Sequence, residues 1–151
     1  MPSLISTLRD DLTTAMKARD ELRTATLRMT LAAISTEAVA GKSSRELSDD
    51  EVLSVIARES RKRREAATAF RAGDRADRAD REEAEGAVLD SYLPVQLSDE
   101  ELRELVRAAV TEAGVSGPQA IGAVMRLLGP RVGKRADGSR VAAAVRAALS
   151  D

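Results

Sequence analysis

Residues 92–113 read YLPVQLSDEELRELVRAAVTEA, and this stretch determines how the rest of the chain is divided. Pro94 disfavours helical geometry at the residue before it, so a preceding helix is expected to end there. Ser98 then begins a capping box, because Glu101 follows it at the third helical position. Apolar residues recur after it at three- and four-residue intervals until Gly114, which is typical of an amphipathic helix. The stretch therefore predicts a boundary at Pro94 and a helix beyond it.

Upstream of this boundary, the same kinds of signal predict four helices. Serine or aspartate residues occupy helix-start positions, and Ser48 opens a second capping box with Glu51. Gly41 is expected to end the second helix in a left-handed conformation. The predicted helices begin at Ser3, Asp20, Ser48 and Asp74; the apolar face of the first includes Met16, and the others end near Ala40, Ala72 and Tyr92.

Downstream of the boundary, two more helices follow the one that Ser98 begins. Pro118 lies where a first-turn proline belongs, and the apolar stripe from Ile121 to Leu128 is expected to close at Gly129-Pro130. Asp137 caps a last helix in which Val141, Val145 and Leu149 share one face. No segment alternates apolar and polar residues over the length of a strand. We therefore expect an all-α protein, with an N-terminal helical bundle of about four helices at residues 1–93 and a three-helix C-terminal bundle at residues 94–151.

Composition removes several classes of function. Apolar residues make up 43% and charged residues 32% of the 151 residues, which suits amphipathic helices, and there is no Cys or His. Disulfides, thiolate metal sites and histidine bases are thereby excluded. No phosphate-binding loop or nucleophile elbow is present, so we expect no catalytic residue, metal or cofactor in this chain alone. No apolar run is long enough for a membrane span, and a cytoplasmic location with no membrane partner is expected.

Two acidic clusters can be interpreted either as metal sites or as ordinary helix starts. Asp49–Glu51 and Asp99–Glu101 each follow a capping serine. Acidic side chains are favoured in the first turn by the helix dipole, and this explanation is the stronger one.

A basic run in the third predicted helix is the main electrostatic feature of the first half, and its members are Arg58, Arg61, Lys62, Arg63 and Arg64. At about 100° per residue these side chains surround the helix and do not form one stripe. Arg63 lies on the apolar face, where it either pairs with Glu59 or contributes to an open face that binds an anion. In the next helix, Asp74/Arg78 and Asp77/Arg81 have the spacing of favourable ion pairs.

A second basic cluster extends from Arg126 to Arg146, where six basic residues accompany one acid, Asp137. It surrounds a glycine-containing turn, residues 129–138, that precedes the last helix. Cations beside a helix N-terminus make a plausible phosphate site, and a solvated loop with incidental charge is an equally good explanation. Because Phe70 and Tyr92 are the only aromatic residues, RNA binding here is expected to use backbone charge and shape.

Several of these segments together resemble the YqeY-like family over essentially the whole chain. The more specific ones are Tyr92-Leu93-Pro94 and Arg135-Ala136-Asp137-Gly138, and the others are residues 27–34, 58–73 and 122–125. This family is similar to the C-terminal tail of the B subunit of the glutamine-dependent aspartyl/glutamyl-tRNA amidotransferase. The resemblance implies four N-terminal and three C-terminal helices and a role in tRNA binding. It also implies kinship to carbon–nitrogen ligases that use glutamine as amide donor.

The resemblance also implies which residues face tRNA. These are Lys134, Arg135, Asp137 and Gly138, with Gly122 and Met125 as structural members of the same motif; Asp137 is expected to cap a helix and Gly138 to satisfy a turn. Charge and position add Arg131 and Arg140 to the nucleic-acid-binding set.

The sequence thus predicts a tRNA-associated accessory module, whose partners are tRNA and either a tRNA amidotransferase or an aminoacyl-tRNA synthetase. The alternative is a helical protein–protein interaction adaptor that uses either the helix containing Arg58–Arg64 or an open apolar groove and has no nucleic-acid role. A stand-alone amide-transferring enzyme is the least favoured of the three.

Overall fold

The computed structural model describes residues 2–150. Local capping signals account for where most of its helices begin. Within that range the chain forms seven α-helices and no strand, so the predicted all-α class is confirmed. The helices are α1 (Leu4–Lys17), α2 (Glu21–Ala38), α3 (Asp49–Ala72), α4 (Ala76–Asp90), α5 (Asp99–Ala113), α6 (Ile121–Val132) and α7 (Gly138–Leu149), with a short 3₁₀ helix at Pro118–Ala120 before α6.

Both predicted capping boxes are present. At the start of α3, the Ser48 hydroxyl accepts from the Glu51 amide at 3.2 Å, and the Glu51 carboxylate accepts from the Ser48 amide at 2.8 Å. Ser98 and Glu101 form the same pair of hydrogen bonds at the start of α5. Each box satisfies two amide groups that would otherwise lack a partner in the first turn.

Two helix ends differ from the predictions. α2 ends at Ala38, and Gly41 does not adopt a positive φ, so the predicted left-handed cap is wrong. α4 is preceded by Arg75, which forms no side-chain cap, whereas Asp74 adopts the left-handed conformation at φ 61°. Asp74 therefore shapes the turn between α3 and α4, because aspartate tolerates this conformation better than most residues.

The chain divides between Leu93 and Pro94 into two units, each with its own apolar core. We call the parts before and after this division the first unit and the second unit. The core of the first unit contains Leu8, Leu27, Ile56 and Leu89, one from each of its four helices. Amphipathic helices bury their apolar faces in this way with almost no aromatic residues.

The basic run of α3 is engaged in ion pairs within the first unit. Arg58 lies 3.4 Å from Glu37 of α2, and Arg63 lies 3.3 and 3.4 Å from Glu82 and Glu85 of α4. The remaining contacts join Arg61 to Glu65, Lys62 to Glu59, and Arg64 to Asp90. The predicted Glu59–Arg63 pair is therefore wrong, since Glu59 contacts Lys62 and Arg63 crosses to α4.

The ion pairs predicted along α4 are also replaced by others. Arg78 lies over the Phe70 ring, 5.9 Å from its centroid, and Asp77 contacts Arg75. Arg81 reaches Glu21 of α2 at 2.7 Å and Glu85 at 2.9 Å. Of these contacts only Arg81–Glu21 is long-range, brought about by helix packing, whereas Glu85 lies four residues after Arg81 on the same helix.

The second unit packs α5, α6 and α7 around a core that includes Val106, Val124, Leu128 and Val145. α6 continues through Pro130 to Val132, so the predicted stop at Gly129-Pro130 is wrong. The backbone still forms a hydrogen bond from Gly133 N to Gly129 O at 2.9 Å beyond the proline. Burial of Val132 in the core accounts for this last turn, because it offsets the hydrogen bond that proline cannot donate.

Candidate nucleic-acid interface

A tight bend at residues 133–137 connects α6 to α7. Gly133 has φ 55° and ψ −130°, a conformation that side chains with a β-carbon rarely adopt. The chain then turns with a hydrogen bond from Arg135 N to Val132 O at 3.1 Å, and the buried Ala136 anchors it to the core. The bend is therefore defined by its own residues and by the core beneath it.

The backbone of the bend is also held by the segment before α5. The amide of Leu97 donates to the Arg135 carbonyl at 2.7 Å, and the Gln96 side-chain amide donates to the Lys134 carbonyl at 3.0 Å. The side chains of Lys134 and Arg135 are exposed. Two cationic residues are thus presented from a backbone that is fixed on both sides.

Asp137 and Gly138 begin α7. The Asp137 carboxylate accepts from the Arg140 amide at 3.0 Å and from the Ser139 hydroxyl at 2.6 Å, so it caps α7 as predicted. Gly138 is the first residue of α7 and has no positive φ. The expectation that Gly138 satisfies a turn is therefore wrong, and Gly133 has that role.

Two of the predicted cations are paired with acids of the second unit. Arg131 forms an ion pair with Glu112 of α5. Arg140 contacts the Asp99 carboxylate at 2.9 Å and also donates to the Leu97 carbonyl at 2.9 Å. These guanidinium groups hold α5 against α6 and α7, so their positive charge is largely compensated at the surface.

Other arginines of the second unit carry charge that is not compensated in this way. Arg126 and Arg146 are exposed, and neither forms an ion pair with a residue between 2 and 150. The same holds for Arg103 and Arg107, which lie four residues apart on α5. Arg103 and Arg107 are not among the residues that the sequence predicted for the site, because neighbouring glutamates offset them in a count of charge along the sequence.

The other two motif residues, Gly122 and Met125, lie in α6. Met125 packs against the core of the second unit, and Gly122 is exposed with no atom near the position of a β-carbon. Met125 thus has a packing role, whereas no close approach explains a glycine at position 122.

Two of the three acids at the start of α5 have structural partners, since Glu101 caps the helix and Asp99 contacts Arg140. Hydrogen bonds from the backbone and hydroxyl of Ser98 lower the pKa of Glu101, and the nearby charge of Arg135 contributes in the same direction. In the described part of the chain, no group of three or more carboxylates could hold a metal ion. The charged side chains of the bend itself are those of Lys134, Arg135 and Asp137.

Comparison with known proteins places the chain in one family. Among residues 2–150, no helix is long and apolar enough to cross a membrane. No curated protein matches the chain. A family model described as Yqey-like protein matches residues 5–149, which include both units and the bend. The chain therefore belongs to the YqeY-like family.

Proposed function

We propose that this protein is a tRNA-associated accessory module that binds tRNA through the bend between α6 and α7. The observation that carries the proposal is the pair of exposed cations, Lys134 and Arg135, on a backbone anchored by Gln96 and Leu97. Kinship to the tail of the tRNA amidotransferase B subunit, and thus to the carbon–nitrogen ligases, supports tRNA as the polyanion. The chain itself is proposed to bind and not to catalyse.

The arrangement suits phosphate groups better than base edges. Lys134 and Arg135 immediately precede the N-terminus of α7, which Asp137 already caps, so the attraction for a phosphate comes from the two cations themselves. Arg126 and Arg146, which have no acidic partner between residues 2 and 150, add positive charge to the same unit. Stacking on rings has little part, since Phe70 is covered by Arg78 and the Tyr92 hydroxyl is bound to Asp11.

The proposal is tested by replacing Lys134 and Arg135 together with alanine. We expect tRNA affinity to fall by about tenfold or more at moderate salt. The slope of log affinity against log salt should also become shallower by roughly one to two, since each lost phosphate contact removes about one unit. The measurement is a tRNA binding titration at several salt concentrations, with helix content followed by circular dichroism.

The matched control replaces Arg9 and Lys42 with alanine. These residues are also one arginine and one lysine, both exposed, and neither forms an ion pair with a described residue. The control removes the same charge from the first unit, so it should change tRNA affinity little. Equal losses in the two double variants would contradict a site at the bend.

The alternative function, a protein-interaction adaptor, draws less support from the structure than from the sequence. Of its two candidate surfaces, the basic run of α3 is already engaged, since its members contact carboxylates of the first unit, and only an open apolar groove would remain. Affinity capture of the protein from cells, with and without ribonuclease, separates the two functions. Partners that include a tRNA amidotransferase or an aminoacyl-tRNA synthetase and that leave after RNA digestion support the tRNA module, whereas an adaptor keeps its partners.

A further inference from the structure

The first unit has an open cleft at the connection between α1 and α2. Its volume is about 410 Å³, and its lining residues are Met16, Arg19, Glu21, Thr24, Ala25 and Arg28. This volume lies within the range of small-molecule sites, about 300–1,000 Å³. The bend described above belongs to the second unit, so the cleft is a separate feature.

The two arginines of the cleft differ from most arginines of the first unit. The arginines that contact a carboxylate are Arg45, Arg58, Arg61, Arg63, Arg64, Arg71, Arg75 and Arg81. Arg19 and Arg28 form no ion pair with any residue from 2 to 150. Arg28 instead directs its guanidinium group at the Met16 sulfur, 3.8 Å away, which is a weak acceptor. Two cations thus line one cleft without the carboxylate partner that most arginines of the first unit have.

The backbone at Arg19 is strained. Its φ is 56°, in the left-handed region that glycine adopts most readily. The turn is closed by hydrogen bonds from Arg19 N to Met16 O and from Asp20 N to Ala15 O. A glycine fits this turn with less strain, so an arginine at position 19 lowers stability. Strain of this kind is concentrated at functional sites.

The remaining polar groups of the cleft are compatible with an anion. The Glu21 carboxylate is held by both terminal nitrogens of Arg81, at 2.7 and 3.1 Å, and this pairing lowers the pKa of Glu21. Its charge is therefore compensated from α4. Thr24 contributes a hydroxyl, and Met16 and Ala25 contribute an apolar wall.

We propose that this cleft binds a phosphorylated small molecule, with Arg19 and Arg28 as the phosphate ligands. Guanidinium groups match the oxygens of a phosphate, and the apolar wall fits a compact organic body attached to it. This inference does not depend on tRNA binding by the second unit.

The test is calorimetric titration of the full-length protein with adenosine monophosphate, inorganic phosphate and adenosine. We expect adenosine monophosphate and phosphate to bind and adenosine not to bind. Arg28→Gln should weaken phosphate binding at least tenfold, whereas Arg9→Gln, which removes the same charge from an exposed site on α1, should leave it unchanged. If neither phosphate-containing probe binds, or if Arg9→Gln weakens binding as much as Arg28→Gln, the proposal is overturned.

A second pair of variants separates binding from folding. Arg19→Gly relieves the left-handed strain, so Tm should rise by about 1–3 °C while phosphate affinity falls at least fivefold. Asp74→Gly makes a similar change at the other non-glycine residue that has a positive φ in the described chain, and it should leave phosphate affinity unchanged. An Arg19→Gly variant that keeps full affinity would overturn the assignment of Arg19.

Discussion

At the scale of single residues, short polar side chains at helix starts have large effects. The Ser98 hydroxyl accepts a hydrogen bond from the Glu101 amide, and the Ser98 amide donates one to the Glu101 carboxylate. We expect Ser98→Ala to lower the free energy of unfolding by about 1 kcal/mol, because the first turn of α5 loses a hydrogen-bond acceptor. Urea denaturation measures the effect.

The control for this substitution is Ser35→Ala, in the exposed interior of α2. Alanine favours a helix interior more than serine does, so Ser35→Ala should leave stability unchanged or slightly raised. A loss at position 35 equal to that at position 98 would exclude capping as the cause.

The same capping boxes make the free energy of unfolding depend on pH. Hydrogen bonds from Ser48 and Arg45 lower the pKa of Glu51 below 4.5, and those from Ser98 lower that of Glu101. A carboxyl whose pKa is lower in the folded state contributes stability above its unfolded pKa and loses it as pH falls through the folded pKa. The free energy of unfolding should therefore be steady above about pH 5 and decrease below pH 4.5.

Glu101→Gln tests this pH dependence directly. Its denaturation profile between pH 5.5 and 3 should be flatter than that of the parent protein. Glu104→Gln, at an exposed residue of the same helix whose side chain forms no hydrogen bond or ion pair with residues 2–150, should retain the parent slope. Parallel profiles for all three proteins would contradict the role of the capping carboxylate.

At the scale of secondary-structure elements, α3 and α4 are joined by a partly buried ion-pair cluster. The Arg63 side chain is 20% exposed and bridges Glu82 and Glu85, whose side chains are 17% and 9% exposed. We expect Arg63→Ala to lower the free energy of unfolding by about 2 kcal/mol or more, because it leaves carboxylates with too little positive charge in a poorly solvated place.

Arg58→Ala is the matched control on the same helix. Both partners of the Arg58–Glu37 pair are 41% exposed, so water screens the interaction and the expected loss is below about 1 kcal/mol. Thermal and urea denaturation of both variants provide the comparison. If Arg58→Ala costs as much as Arg63→Ala, burial does not determine the strength of these pairs.

At the scale of the whole molecule, the division between Leu93 and Pro94 leads to a prediction about folding. The second unit has an apolar core that runs from Leu97 to Leu149 without residues of the first unit. We expect residues 94–151 alone to be helical and to unfold cooperatively, with modest stability because a domain this small buries little surface. Circular dichroism during thermal denaturation tests this.

The isolated fragment also tests the proposed function. If the bend binds tRNA, residues 94–151 should retain salt-dependent tRNA affinity, and the fragment with Lys134 and Arg135 replaced by alanine should lose most of it. A folded fragment without affinity would show that the bend is insufficient and that the first unit is required.

The sequence alone determined the class of fold and where most helices begin, because these features depend on residues three or four positions apart. The serines of the two capping boxes and the aspartate at position 137 are of this kind, and the structure confirms them. The continuation of α6 through Pro130 could not be predicted, since burial of Val132 outweighs the local preference of proline.

Only the tertiary structure decided which cations are paired with carboxylates and which are not. Arg131 finds Glu112 at a separation of 19 residues, and Arg140 finds Asp99 at a separation of 41. The basic run of α3 is likewise matched by carboxylates of α2 and α4. A linear sequence shows the number of charges but not their neighbours, because the partner of a long flexible side chain is set by which helix faces pack together.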